Sequence, residues 1–316
     1  MHKIILGPME GVLDYGLRSI LTSINRYDLC ITEFVRVVDQ LLPKKVFYRT
    51  APELLNHDNF INKTPIRIQL LGNDENWLSE NAARAIELGS KGVDLNFGCP
   101  AKTVNKNKGG AILLKEPETV YKITNKVKKD HPDHHISAKI RLGWDSHDRF
   151  KDLIFALDNA KVDSITIHAR TKKDGYKPEN IDWSKIAQAK SWTDIPLIAN
   201  GEVWNKKDAV NCFETSQTHT LMLCRGAFQL PNLANTIKFN EPIIAWNQVI
   251  NLLIEYASFP IEKDKGLYFS NRAKQWLTYL RHQYNEAQEL FEKVKRLKNK
   301  QEVLDVITRS LVQVNE

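Results

Sequence analysis

Asp94-Leu95-Asn96-Phe97-Gly98-Cys99-Pro100, continued by Ala101-Lys102-Thr103-Val104, is a buried-strand pattern that stops on a Gly-Cys-Pro turn. Proline holds the residue before it in extended geometry, and glycine admits close backbone approach, so the Cys99 thiol is fixed at a strand end. A thiol with an ordinary pKa of about 8.5 is mostly protonated at neutrality, and can give a proton as well as attack. A lone buried cysteine is most often packing material. The surrounding pattern argues for more here.

Outward from this stretch, short β-rich runs alternate with helical stretches eight times. The runs are 3–7, 28–34, 66–71, 93–97, 136–141, 164–168, 196–200 and 220–224. Several are nearly continuous apolar segments, as parallel strands covered on both faces must be. Amphipathic stretches such as 76–88 and 117–129 lie between them. Eight βα units predict an α/β fold of the TIM (β/α)8 barrel type, with a doubly wound sheet as the alternative. After Asn240-Glu241-Pro242 no strand signal remains, and Trp246, Val249, Ile250, Leu253, Ala273, Trp276, Leu277 and Leu280 recur at helical spacing. Residues 1–240 are thus expected to form the barrel, and 241–316 an all-helical bundle domain.

The composition is that of a soluble globular protein: 42% hydrophobic and 26% charged. No apolar run reaches the ~20 residues that span a bilayer, and Met1 to Met9 read as a first strand rather than a leader. Cys30, Cys99, Cys212 and Cys224 form no CxxC pair, which argues against a disulfide framework or a zinc site and for a reducing cytoplasm. The histidines of His131-Pro132-Asp133-His134-His135 read as a surface loop, so no metal is expected. A net charge of +7 allows a polyanionic partner without requiring one.

Function in such a barrel collects at the C-terminal ends of the strands. The unusual residues of this chain fall there: Gly7-Pro8-Met9-Glu10-Gly11, Gln69, Asn96 and Cys99, Lys139 with Arg141, His168 with Arg170, Asn200-Gly201-Glu202 and Cys224-Arg225-Gly226. Taken singly, each has a bland explanation, such as a strand Gln satisfying neighbouring backbone. Jointly they describe a polar ligand at one mouth. The last two loops supply glycines and a guanidinium for a phosphate. Lys139 can stabilise charge developing on an electron-rich ring. A phosphorylated, reducible cofactor such as FMN suits this set. The GxGxxG fingerprint of a dinucleotide fold is missing.

Pro8-Met9-Glu10-Gly11, Gln69-Leu70-Leu71-Gly72, Asp94 to Val104, Lys139-Ile140-Arg141-Leu142-Gly143-Trp144, His168-Ala169-Arg170-Thr171 and Asn200-Gly201-Glu202, in this order, resemble the bacterial tRNA-dihydrouridine synthases. Ile31 to Gln40 and Arg272-Ala273-Lys274-Gln275-Trp276-Leu277 resemble the C-type subfamily, which modifies uridine 16 of the D-loop. The resemblance implies an FMN-bearing barrel, a C-terminal helical tRNA-binding domain, and NADPH (or NADH) as electron donor. Hydride passes to C6 of the uracil, and a cysteine protonates C5. Carried over by motif, Cys99 is the acid and Asn96 helps hold the flipped base. Pro8, Met9, Gln69, Lys139, His168, Asn200, Gly201, Glu202, Cys224 and Arg225 surround FMN. Two departures stand out: Cys224 where the family often has Gly, and Gly7-Pro8-Met9 where it more often reads Ala-Pro-Met.

Uracil is a poor hydride acceptor, so proton delivery at C5 must accompany hydride attack, and the base must leave the RNA stack. Lys44, Lys45 and Arg49, then Lys102, Lys106 and Lys108, then Lys172, Lys173 and Lys177 would all rim the same mouth, as phosphate-backbone binding requires. A further cluster holds Lys293, Lys295, Arg296, Lys298 and Lys300. Tyr176 is placed to stack on a nucleobase, while Arg36, Arg272 and Lys274 match subfamily positions that set how tRNA docks. A monomer with no obligate protein partner is expected. The rivals are a flavin enzyme of a free pyrimidine, like the dihydroorotate or dihydropyrimidine dehydrogenases, and a non-catalytic RNA-binding module.

Overall fold

The computed structural model describes residues 2–56, 60–259 and 266–315. Its strands are β1 (Lys3–Leu6), β2 (Leu29–Arg36), β3 (Phe60–Ile61), β4 (Thr64–Leu71), β5 (Val93–Asn96), β6 (Ile136–Gly143), β7 (Ser164–Thr171), β8 (Leu197–Asn200) and β9 (Thr220–Leu223). All but β3 pair in parallel, in the order β2-β1-β9-β8-β7-β6-β5-β4, and a further β2–β4 pairing closes the ring. The eight-stranded barrel expected from the sequence is therefore present.

Each expected strand appears, within a few residues at either end. β6 and β7 run on to Gly143 and Thr171, because they stay paired past a register shift between Arg141 and Gly143. The sequence reading missed β3, which forms a hairpin with β4 across Asn62 and Lys63. Both turn residues have positive φ (48° and 68°), as a two-residue hairpin of right-handed twist requires.

The crossover helices are α1 (Tyr15–Ser23), α2 (Lys44–Thr50), α3 (Glu75–Glu87), α4 (Lys102–Lys106), α5 (Pro117–Asp130), α6 (Phe150–Asn159), α7 (Ser184–Ala189), α8 (Lys206–Ser216), α9 (Arg225–Gln229) and α10 (Leu233–Phe239). Local chemistry starts them: the Asp14 carboxylate accepts from Leu17 N (2.9 Å), and Asp74 accepts from Asn76 N and Trp77 N. Strand alternation sorts the side chains. Ile4 and Leu6 enter the main core under the helices, whereas Ile5 joins Ile31, Ile198 and Met222 in a separate cluster inside the barrel. Elsewhere the barrel interior is polar: Arg67, Gln69, Asp94, Ser137 and Thr166 are buried there.

Beyond Asn240, whose left-handed backbone (φ 59°) ends α10, the described residues form helices alone. These are α11 (Trp246–Tyr256), α12 (Tyr268–Leu280), α13 (Asn285–Val294) and α14 (Lys300–Asn315). Their apolar faces merge into the same core as the barrel's outer shell. Polar links reinforce this: Trp276 Nε1 donates to Phe228 O of α9 (3.0 Å), and the hydroxyls of Tyr256 and Tyr268 donate to Asp14 (2.5 and 2.6 Å). Among the described residues no helix is long and apolar enough to cross a membrane.

Candidate active site

The C-terminal ends of the strands surround a cavity of about 550 Å³, within the range of small-molecule and cofactor sites. Its walls bring together Cys99, Asn96, Tyr176, Pro8, Met9, Gln69, Lys139, His168, Asn200, Gly201, Glu202, Cys224 and Arg225. Four expected residues lie outside the walls. Arg36 is exposed at the end of β2. Arg272 on α12 lies beside Gly11 and bonds Gln275 Oε1 (2.9 Å). Lys274 donates to Leu297 O (2.9 Å), and Lys295 pairs with Glu292 on the exposed face of α13.

The Cys99 turn is held from every side. Gly98 N and Cys99 N both donate to Asn96 Oδ1 (2.9 Å each), an Asx-type turn. Arg141 Nε donates to Gly98 O (2.8 Å), while Ala111 N and Asn105 Nδ2 donate to Cys99 O (3.0 Å each). Gly110, at φ +67°, must lack a side chain: a Cβ there would lie 2.8 Å from Cys99 O. Cys99 is 8% exposed. Burial pushes its thiol pKa up and Glu10 adds to the rise, against the bond from Ala101 N–H and the charges of Arg141 and Lys139. It is a protonated thiol at neutral pH, suited to give a proton.

Cationic side chains line the rest of the cavity. Lys139 Nζ donates to Asn200 Oδ1 (2.9 Å), and Asn200 Nδ2 donates to Met222 O (2.9 Å). Burial pulls the Lys139 ammonium below its usual range. Burial also lowers His168 well below the ordinary imidazole value, with the nearby Arg141 and Lys139 acting the same way, so its ring is neutral. Glu202, at φ 52°, takes an unfavourable backbone shape for a side-chain-bearing residue. Three bonds hold it: Arg170 Nη1 (2.9 Å), Arg225 Nη2 and Trp204 Nε1 (2.9 Å). The Arg225 guanidinium lies over the Tyr176 and Trp204 rings, at 4.7 and 4.8 Å from their centroids.

The buried polar atoms fit a phosphorylated ligand. His168 Nε2, Thr166 Oγ1, and Nε and Nη2 of Arg170 have no hydrogen-bond partner in the protein. They come from three successive inward positions of β7, and buried groups of this kind are ordinarily satisfied. Gly226 brings the last two loops together, since a Cβ on it would lie 2.0 Å from Val203 O. Of Thr166, His168 and Arg170, it is His168 that lines the cavity, and with Lys139, Arg225 and the close backbone it fits a phosphorylated, planar cofactor; Thr166 and Arg170 are not among the lining residues.

Gly7 makes room for two neighbours. A Cβ on it would lie 2.6 Å from Met222 Cγ, 2.7 Å from Met222 Sδ and 2.7 Å from Cys224 Sγ. The Met222 and Cys224 side chains together occupy the volume that an alanine at position 7 would need. Gly7→Ala is expected to destabilise the fold by about 1–3 kcal/mol through overpacking. Gly7→Ala combined with Cys224→Gly should recover part of that loss, because residues in contact are not additive. Thermal unfolding of the two variants tests the coupling, and simple additivity would refute it.

Sequence reasoning saw Arg141 and Arg170 but gave them no role, and it missed Phe34 and Trp204, which also line the cavity. Trp204 follows Asn200-Gly201-Glu202 in the same loop, and that adjacency was the available signal. Phe34 reads by type as core. The basic rim is partly committed elsewhere: Lys44 pairs with Glu87 (2.6 Å) and Lys172 lies over Trp144, and in the later cluster Lys300 donates to Ala257 O (2.5 Å).

The dihydrouridine synthase (Dus) family model matches residues 5–313. The chain is 49% identical over 308 residues to the tRNA-dihydrouridine(16) synthase of Vibrio cholerae, covering 97% of this chain and 95% of the relative. It is 48% identical over 306 residues to that of Escherichia coli strain K12, covering 96% and 97%. Among solved structures, histamine dehydrogenase from Rhizobium sp. 4-9 superposes with a TM-score of 0.57 at 12% identity, over 80% of this chain and 48% of that one. A morphinone reductase N189A mutant in complex with tetrahydroNAD gives 0.52 at 11%, over 76% and 87%. At such identities these two structures speak for the barrel alone. The family match spans nearly the whole chain, and with the relatives' near-complete coverage it makes this protein a member of the dihydrouridine synthase family.

Proposed function

We propose that this enzyme reduces the C5–C6 bond of a D-loop uridine in tRNA, at position 16, with FMN in the barrel mouth and NADPH as electron donor. The observation that carries the reading is the Cys99 thiol, fixed on a rigid turn in the wall of the same cavity as Lys139 and His168. The name shared by the relatives supports the position, and family resemblance supports the donor. The orphaned nitrogen of His168, with Lys139 and Arg225, supplies the groups that would hold FMN.

Bound and reduced there, FMN supplies the hydride that C6 of the uracil receives. The remaining work belongs to the chain. Cys99 gives its proton to C5, so the double bond gains two electrons and two hydrogens in all. The thiolate left behind faces the positive charges of Arg141 and Lys139, and then takes a proton from solvent. Tyr176, 52% exposed at the rim and backed by Arg225 and Arg141, offers a stacking face to an extruded base. Residues 241–316, with Arg36, Arg272, Lys274 and Lys295, would carry the tRNA body, and binding should weaken steeply with salt.

Mass-spectrometric mapping of dihydrouridine in unmodified tRNA, incubated with the protein, FMN and NADPH, tests the proposal. Product at position 16 is expected. Product only elsewhere would refute the position, and none at all would refute the tRNA reaction in favour of a free pyrimidine. The pH profile follows from Cys99. An acid must be protonated to act, and burial raises this thiol's pKa from 9.0. The single-turnover rate should therefore stay level from neutrality to about pH 9 and fall above it. A fall beginning below pH 7 would contradict the assignment.

A further inference from the structure

Asp94 is a fully buried carboxylate in the barrel interior, and the chemistry above does not use it. Its Oδ1 accepts from Ser137 Oγ (2.5 Å) and its Oδ2 from Gln69 Nε2 (2.7 Å). Gln69 Oε1 accepts from Asn96 Nδ2 (2.7 Å), and Asn96 Oδ1 accepts from the backbone of Gly98 and Cys99.

The backbone end of this chain fixes its direction. Backbone N–H groups only donate, so the Asn96 atom facing them is the oxygen, and its nitrogen must face Gln69. An amide nitrogen only donates, so the Gln69 atom facing Asn96 is the oxygen, and Gln69 Nε2 is left to donate to Asp94. Neither amide can flip without placing like against like at a buried contact. Each amide nitrogen then keeps one further N–H, and both residues line the cavity. That wall offers donors to whatever binds.

We infer that Asp94 is a positioning residue for the reaction: through Gln69 and Asn96 it fixes the amide donors of the cavity wall and holds the turn that carries Cys99. The inference rests on the function proposed above for its catalytic meaning, but the relay itself can be read without catalysis. Ser137 serves as the control, since Ser137→Ala removes the hydroxyl that bonds Asp94 and accepts from Arg67 Nη1 (3.1 Å), and leaves the relay whole.

The test uses the full chain, with and without FMN, and reads two quantities: alkylation of Cys99 by iodoacetamide, followed by peptide mass spectrometry, and single-turnover reduction of tRNA. Asp94→Ala is expected to raise Cys99 alkylation and lower turnover, each on the order of tenfold, as loosening a held group does. Asp94→Asn keeps an acceptor towards Gln69 and should remain within about twofold of wild type, as should Ser137→Ala. Should Asp94→Ala fail to fold, Gln69→Met breaks the relay while leaving Asp94 with Ser137, and should raise alkylation similarly. Unchanged Cys99 alkylation in whichever of these two variants folds overturns the inference. Ser137→Ala matching Asp94→Ala would also overturn it, by making the effect one of general packing. A protein that forms no dihydrouridine yet shows the alkylation pattern would refute the proposed reaction and leave the relay standing.

Discussion

Cys99→Ala is expected to lose about 10²–10⁴-fold in dihydrouridine formation, the usual worth of a positioned general acid. Flavin content and flavin reduction by NADPH should be unchanged. The substitution removes one sulfur and its bond from Ala101 N–H, while the turn's other bonds run through backbone atoms and Asn96, so the turn survives it. Water is a poor replacement, because it is a far weaker acid than a thiol. Rapid-mixing measurements separate the half-reactions: the flavin absorbance should still bleach with NADPH, and reoxidation by tRNA should slow. Reoxidation at the wild-type rate would remove Cys99 from the mechanism.

Gly226→Ala is the second large effect. The missing Cβ would sit 2.0 Å from Val203 O and 3.0 Å from Leu233 Cδ2, and the first of these is backbone. The loops after β8 and β9 must then part by more than an ångström. They carry Glu202, Trp204 and Arg225, whose mutual bonds close that side of the cavity. FMN affinity is expected to fall by about 100-fold, since displacements of this size cost that much in positioned sites. Equilibrium dialysis against FMN checks it, with circular dichroism to confirm that the barrel is folded. Retained affinity in a folded variant would remove these loops from the proposed cofactor site.

The barrel was legible because its strands announce themselves as apolar runs between amphipathic helices, and Ser164–Thr171, buried throughout, shows why. The β3 hairpin was not, since a two-residue strand has no periodicity and Asn62-Lys63 is not the usual glycine-bearing turn. Polar residues inside apolar runs, such as Gln69 and Lys139, stood out and do line the cavity. Their partners did not stand out. Asp94 meets Gln69 across 25 positions of sequence and Ser137 across 43, and the parallel register of β4, β5 and β6 sets them side by side. The accommodation of Cys224 by Gly7 was likewise hidden: both departures were visible, and their contact was not.

The carboxylate of Asp14 opens α1, sits in the loop that also presents Pro8 and Met9, and takes the hydroxyls of two tyrosines from α11 and α12. Burial and this carboxylate push both phenols above their usual range, so the bonds persist at any physiological pH. The barrel's first crossover turn and its outer apolar shell are thus fitted to the helices. A chimera that exchanges the helices between relatives has to bring the matching β1–α1 turn with them.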